Sequence, residues 1–496
     1  TIDGELCERY GRGAAPELHE RQLVCLDRAL ARFGHAIKLL QGASAAELEH
    51  SFDVLAKLPD PGACREPAEV AEQAGVDPDQ LAAIERAVDQ LELEMELGRH
   101  ELVDKSSAEL MTATNAPGFE QLHMRVVEVR CDVMVEFDRR KDAIDTAFSG
   151  LSAAERNGTG RMRLEAFINL AEIHLATQDL QGAERFLAQA KTIAAEPNTD
   201  PALQRDLAAA EAWILGVSGR LDAAVMAFDR ALALTDPATD PLVHVQLRIK
   251  RTHMFAYIGT AKEALEQFVD VERQFMQLVG PEHPEVLELR MAKAEILMRL
   301  EDWKGARKEY LEASSALEAL RGQPVTPSLA ARANAAWLLD RLDGCKQALA
   351  EYDPIIPLAR EKMPYPSPDL GAVLTRRSEI CGSKSPGAID FAREALELYR
   401  TAVGDEHVIV ASARNRLART LYEAGDLAAA RAESDAALAI YAAIHPVGSE
   451  FVDETRALAM LIRHALGEPK ALDQIDELLA KLPKNHALAK RLAALR

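Results

Sequence analysis

Residues 411–441 read ASARNRLARTLYEAGDLAAARAESDAALAIY, and this stretch splits into two amphipathic segments at Gly425 and Asp426. Before the break, Leu417, Ala418 and Leu421 share one face at helical spacing; after it, Leu427, Ala430, Ser434, Ala437 and Leu438 do the same. The small side chains of Ala418, Ala430 and Ala437 let two helices approach closely, and Gly425 frees the backbone to reverse between them. The spacing predicts a helical hairpin.

One hairpin cannot bury its apolar face alone, so recurrence along the chain decides the fold. With the small residue early in each second helix as register mark, Ala430 has counterparts at Val103, Ala143, Ala183, Ala224, Ala264, Ala306, Ala348, Ala388 and Ala471, at successive separations of 40 to 42 residues. Two independent signals hold the same register. Gly98, Gly219, Gly259, Gly425 and Gly467 precede the mark by four or five residues, and Ala190, Ala231, Ala313, Ala395 and Ala437 follow it by seven.

These units resemble tetratricopeptide repeats (TPR) through Leu417, Ala418, Leu421, Gly425, Ala430, Ala437 and Leu438, with Ala171 and Ala183, Ala212 and Ala224, or Ala294 and Ala306 in the paired small-residue role elsewhere. The period exceeds the ~34 residues of the standard repeat, which implies longer helices or connectors. GPEHPEV at 280–286 and GDEHVIV at 404–410 are similar to the GxxHPxV connectors of the longer TPR variety found in kinesin light chains and many bacterial regulators. The resemblance covers roughly residues 80–482. It implies an all-α, right-handed α-solenoid of about ten TPR-like hairpins with an N-terminal helical pair. The expected division is an N-terminal helical segment over 1–66, a solenoid over 67–482 and a C-terminal capping helix over 483–496.

Composition agrees with such a quasi-one-dimensional core. Hydrophobic residues make up 48% and aromatics only 5%, a balance suited to Ala/Leu helix packing. Lys and Arg number 58 against 79 Asp and Glu, for a net charge of −21. That argues against nucleic acid or anionic membrane as partner, since both need a basic footprint. No apolar run is long enough for a membrane helix, and the N-terminus has neither the basic nor the apolar region of a signal peptide. The six cysteines are scattered without a CxxC pair, so a disulfide framework is not expected and a reducing cytoplasm is the expected compartment. Thr1 in place of an initiator Met points to a piece of a longer protein.

Toward the N-terminus, Pro16 opens a long predicted helix reaching about Gln41, with Leu18, Leu23, Leu26, Leu30, Phe33, Ile37 and Leu40 on one face. A second helix is expected from Ser44, with Glu47 completing a capping box, to Leu58 before Pro59. The succession Cys7, Gly11, Glu17 to His19, Arg21, Cys25, Leu26, Leu58, Pro59 and Cys64 resembles the juncture between kinase and repeat array in serine/threonine protein kinases of myxobacteria and related bacteria. That resemblance implies a regulatory or substrate-recruiting region of a signalling kinase. The sequence holds no glycine-rich loop with VAIK-like lysine, no HRD, no DFG and no APE, so no kinase activity is expected of this chain. Alternative contexts are a full-length kinase, the sensor array of a transcription regulator and a TPR-fused protease.

The array is irregular once. Pro354 and Pro357 fall inside an expected second helix and should kink or cut it, and 363–369 (MPYPSPD) and 381–387 (CGSKSPG) follow as loops. This region is expected to be either an inserted loop or a hinge or partner contact.

First helices of TPR units line the concave face. In this register the candidate ligand-binding positions are Asn169, Lys250, His253, Asn334, Arg341, Arg377, Arg416 and Arg419, with Glu172, Trp213, Trp337 and Glu423 beside them. The cations among them would suit a protein or peptide partner with an acidic or C-terminal carboxylate segment. The resemblance implies that Asn169 and Asn334 bond a ligand's backbone. The bland alternatives are solvated or paired cations and tryptophans used in packing. No catalytic residue, cofactor or metal site is expected, because HExxH, GxSxG, GxxxxGK[ST] and zinc-type Cys/His spacings are all missing.

Overall fold

The computed structural model describes residues 16–44, 47–59, 62, 64, 76–444, 450–468, 476 and 479, with short gaps at 138, 158, 178, 197–198, 219, 259–260, 282, 364 and 383–384. The chain is all-α, a TPR-like solenoid of consecutive helical hairpins. Helix α1 (Pro16–Gln41) leads through a 3₁₀ turn (Glu47–His50) to α2 (Ser51–Ala56). Hairpins follow as α3 (Pro78–Glu96) with α4 (His100–Thr114), α5 (Glu120–Glu136) with α6 (Arg140–Asn157), α7 (Gly160–Ala176) with α8 (Leu180–Ala194) and α9 (Pro201–Val217) with α10 (Leu221–Ala233). Next come α11 (Pro241–Ile258) with α12 (Ala261–Val279) and α13 (Pro284–Arg299) with α14 (Trp303–Arg321). Helix α15 (Thr326–Leu342) is followed by two short helices, α16 (Cys345–Tyr352) and α17 (Ile355–Lys362). The last elements are α18 (Pro368–Glu379), α19 (Ala388–Val403), α20 (Val408–Glu423), α21 (Leu427–Ile444) and α22 (Glu450–Ala465).

The register marks are buried in the core. Val103, Ala143, Ala183, Ala224, Ala264, Ala306, Ala348 and Ala430 are all 0% exposed and Ala388 is 2% exposed. Each lets its second helix press onto the preceding first helix, where a larger side chain would hold the two apart. The reversal itself needs Gly425, at φ +86°, and Gly98, at φ +77°, in the conformation that other L-residues resist. Aspartates then start the second helices. Asp179 accepts from the Gly182 amide at 2.9 Å and Asp302 from the Gly305 amide at 2.9 Å, satisfying donors that the helix leaves orphaned. Ala471 and the expected capping helix over 483–496 lie outside the described residues.

Two compact units divide the chain: unit 1 (Thr1–Ile214, Val225–Lys250 and Gln274–Pro284) and unit 2 (Leu215–Ala224, Arg251–Arg273 and Glu285–Arg496). Within unit 1, first helices of successive hairpins touch, α3 on α5 and α5 on α7; within unit 2, α18 touches α20 and α20 touches α22. First helices therefore share one surface in each unit. The core of unit 1 gathers Cys131, Ala147, Leu164, Leu170, Phe186 and Ile214, and that of unit 2 gathers Tyr352, Leu374, Leu398, Tyr399 and Leu417.

At the N-terminus two expectations change. The face of α1 that packs carries Gln22, Ala29, Ala36 and Leu39, while Leu23, Leu30 and Ile37 of the expected stripe stay exposed. The small residues win because α1 is drawn close to α3 by Arg32, which donates to Asp89 at 2.8 Å and Glu92 at 2.7 Å. The capping box at Ser44 and Glu47 forms, but it opens the 3₁₀ turn before the shorter α2.

The cysteine expectation is also corrected. Cys25 pairs with Cys64 and Cys345 with Cys381, and among the described residues Cys131 is a buried free thiol, Cys7 lying outside them. The separations of 39 and 36 residues are close to one repeat, and a repeat array brings such positions side by side on neighbouring elements. Among the described residues no helix is long and apolar enough to cross a membrane.

The proline break falls as predicted: α16 ends at Tyr352, and Pro354 caps the separate helix α17. Opposite it, Gly371 of α18 faces the ring of Tyr399, to which an added methyl would come within 2.8 Å. Tyr399 is 5% exposed and has little room to retreat. Gly371→Ala is therefore expected to lose about 1–2 kcal/mol in a denaturant titration, overpacking outweighing the gain in helix propensity. An unchanged or higher midpoint would show that the ring relocates freely.

Candidate functional site

In unit 1 the surface shared by first helices is a groove. Residues at i, i+4 and i+8 on α5, Glu128, Asp132 and Glu136, face Asn169 and Glu172 of α7, three apart, across a cavity of about 400 Å³ closed at one side by Met95. The groove continues into a cavity of about 480 Å³ where Arg125, Glu165, Arg205, Asp206, Gln246 and Lys250 add both charges. One end is thus purely acidic and the other mixed.

The acidic end is electrostatically frustrated. Burial raises the Asp132 carboxyl to about 7, and the neighbouring Glu128 adds to the shift. Glu172 is likewise raised to about 7, by burial first and then by Glu128 and Asp206. Burial also raises Glu128, against the pull of Lys57. Asp132 and Glu172 are both exposed, and it is the protein walling the concave groove around them, not enclosure from water, that weakens the solvent's stabilisation of their charge. Among these acids the Asn169 Oδ1 atom is buried and accepts no hydrogen bond. A ligand donating an N–H to Asn169 and placing a cation among the carboxylates would relieve both costs.

Of the eight candidate positions anticipated from sequence, Asn169 and Lys250 meet in this groove, together with Glu172, which was placed beside them. Lys250 Nζ sits 5.9 Å from the ring centroid of Trp213, and Trp213 in turn packs edge-on against Phe228 at 6.2 Å. The other six lie in unit 2. His253 Nε2 is 3.7 Å from Glu295, and Arg341 stands 5.8 Å over the Trp303 ring. Asn334 Oδ1 accepts from Arg376 Nε at 3.3 Å, so its amide oxygen is already engaged. Arg416 is ion-paired with Glu379, and Arg419 donates to Glu454 at 3.0 Å. Arg377 sits inside the unit: 4% exposed, it donates to Asp353 at 2.5 Å and to Ser385 at 2.7 Å, under the Phe391 ring.

Arg376, not singled out from sequence, holds the unit 2 cluster together. Its guanidinium lies 4.3 Å over the Trp337 ring and 3.3 Å from Glu379. Burial, with Arg376 and Arg419 repelling, lowers Arg416 to about 10. Glu128 and Asp132 were missed for a different reason: among 79 acidic residues an i, i+4 pair carries little signal, and only the fold shows that α5 and α7 aim theirs into one groove.

Among curated proteins none matches this sequence. Solved structures with similar folds include a Rap protein complexed with competence and sporulation factor (12% identity, 84% of this chain and all of that one, TM-score 0.49). Others are the apo form of the quorum sensor NprR from B. thuringiensis (14% identity, 72% of this chain and 99% of that one, TM-score 0.49) and BtubC from P. vanneervenii (20% identity, 50% and 91%, TM-score 0.34). Residues 410–448, covering most of α20 and all of α21, match the tetratricopeptide repeat family.

Proposed function

We propose that the chain is a noncatalytic scaffold that holds an extended segment of a protein or peptide partner in the unit 1 groove, with a basic side chain of that segment among Glu128, Asp132 and Glu172. One observation carries the reading: these carboxylates crowd around the unpartnered Asn169 amide oxygen on a groove floor built by consecutive first helices. Rigid helices present the groove preformed, so little ordering cost opposes binding. The test is an array of synthetic peptides varied in Lys and Arg content, the strongest binder then titrated against wild type and a Glu128→Gln, Glu172→Gln double variant. Affinity is expected to fall about tenfold or more in the variant, about 1.4 kcal/mol, with a shallower salt dependence. Equal affinity, or an array without a basic binder, would sink the reading.

A second reading assigns an acidic or C-terminal carboxylate segment to the unit 2 face, favoured by three guanidinium groups, Arg376, Arg416 and Arg419, set against two carboxylates, Glu379 and Glu454. In this reading Asn334, which accepts from Arg376, borders the cluster. The same array separates the two: acidic binders lost in Arg376→Glu with Arg416→Glu would support this face. The regulatory or substrate-recruiting region of a bacterial signalling kinase is the cellular role we propose for either groove, on the resemblance carried by Cys25, Leu26, Leu58, Pro59 and Cys64.

A further inference from the structure

Asp340 near the end of α15, Cys345 at the start of α16 and Cys381 just after α18 bring one carboxylate oxygen and two sulfurs within 4.8 Å of one another. All three are partly exposed, so both reductant and solute can reach them. The carboxylate of Glu423, on α20, lies against the backbone of Gly382, the next residue along; a methyl added there would meet its Oε2 at 2.9 Å. Two sulfurs and one carboxylate, with a second carboxylate against the residue after Cys381, form a donor set suited to a borderline-soft divalent ion of the zinc class, which takes three protein ligands and leaves its fourth position to water or another carboxylate.

We propose that Asp340, Cys345 and Cys381 are a thiol-dependent metal site, closed while the two cysteines are bonded to each other and opened when that bond is reduced. The chemistry balances with a small dithiol as reductant. Two electrons and two protons pass from the dithiol to the sulfurs, the S–S bond breaks and the dithiol closes to its own disulfide. Binding of a divalent ion then expels the two thiol protons to solvent, because a coordinated sulfur is a thiolate. The ion spans the same two segments that the disulfide spans, the α15–α16 turn and the chain after α18, so either state fastens them.

Cobalt(II) is the probe. The chain of residues 1–496 is reduced with dithiothreitol, freed of reductant without oxygen and titrated with cobalt(II), while a parallel sample is left oxidised. Expected are a thiolate-to-cobalt charge-transfer band and tetrahedral visible bands saturating at one equivalent in the reduced sample, neither in the oxidised one. Cys345→Ser is expected to abolish the charge-transfer band, and Asp340→Asn to keep it while weakening affinity about tenfold or more. Because the oxidised wild type is the same polypeptide, the comparison stands even if a variant folds poorly. A reduced wild type without the band, or a band of full intensity in Cys345→Ser, overturns the proposal.

Discussion

Affinity of the wild-type chain for a basic peptide is expected to rise about tenfold for each participating carboxyl between pH 6 and pH 8, while the groove's contribution to the unliganded chain's stability runs the opposite way. Asp132 and Glu172 are both raised to about 7. At pH 6 each is mostly protonated and offers a cation nothing; by pH 8 each is ionised. Folding sees the reverse. The folded-state value lies above the unfolded value near 4, so the folded chain holds these protons where the unfolded chain has lost them. The associated stability is full below about pH 4 and is lost as pH rises to about 7. Asp132→Asn with Glu172→Gln should therefore raise the melting temperature at pH 7.5, flatten the difference profile between pH 4 and 7, and remove the pH slope of peptide affinity. A wild-type affinity independent of pH would mean that neither carboxyl takes part in binding. Improved stability coupled to lost affinity is the signature of a site strained for its ligand.

The periodic part of the fold was legible because one mechanical constraint repeats. Ala143, Ala183, Ala224 and Ala430 must be small wherever two helices of a hairpin cross, and that need imprints a period on the sequence whatever the surface carries. Pro354 was equally readable, since loss of a backbone donor acts locally. Features depending on which repeats meet were not. The apolar stripe of α1 reads as core, yet Arg32 and the small face of Ala29 and Ala36 decide its orientation. The disulfides needed the superposition of residues one repeat apart. Groove chemistry was the least legible of all. A charge on a first helix faces the groove, an ion pair or the interior according to its neighbours, and so Arg377 is enclosed while the acids of α5 converge on Asn169.

Enclosure of Arg377 gives the proline break a structural purpose. Asp353 caps the C-terminus of α16 with helical backbone angles, directly before Pro354, and from the junction of α16 and α17 its carboxylate receives the buried guanidinium at 2.5 Å. Tyr352, fully buried beside it, donates its hydroxyl to the Val373 carbonyl at 2.6 Å, so two adjacent residues pin α18 to the break. Asp353→Ala would strand a cation whose side chain is 5% exposed, with the Ser385 hydroxyl as its other hydrogen-bond acceptor and the Phe391 ring beside it. Breaking a fully buried pair costs about 3–5 kcal/mol; since Asp353 is itself 53% exposed, about 2–3 kcal/mol is expected here. The loss should be local and is best read by hydrogen exchange, with the amides of α16 to α18 opening faster by one to two orders of magnitude while those of unit 1 stay unchanged. Adding Arg377→Met removes the stranded charge and should recover part of the protection, because a methionine can fill the apolar space under Phe391. If Asp353→Ala left exchange in α18 untouched, the pair would be an incidental contact, and the break at Pro354 would be a tolerated defect with the fold held by Tyr352 and the aliphatic core alone.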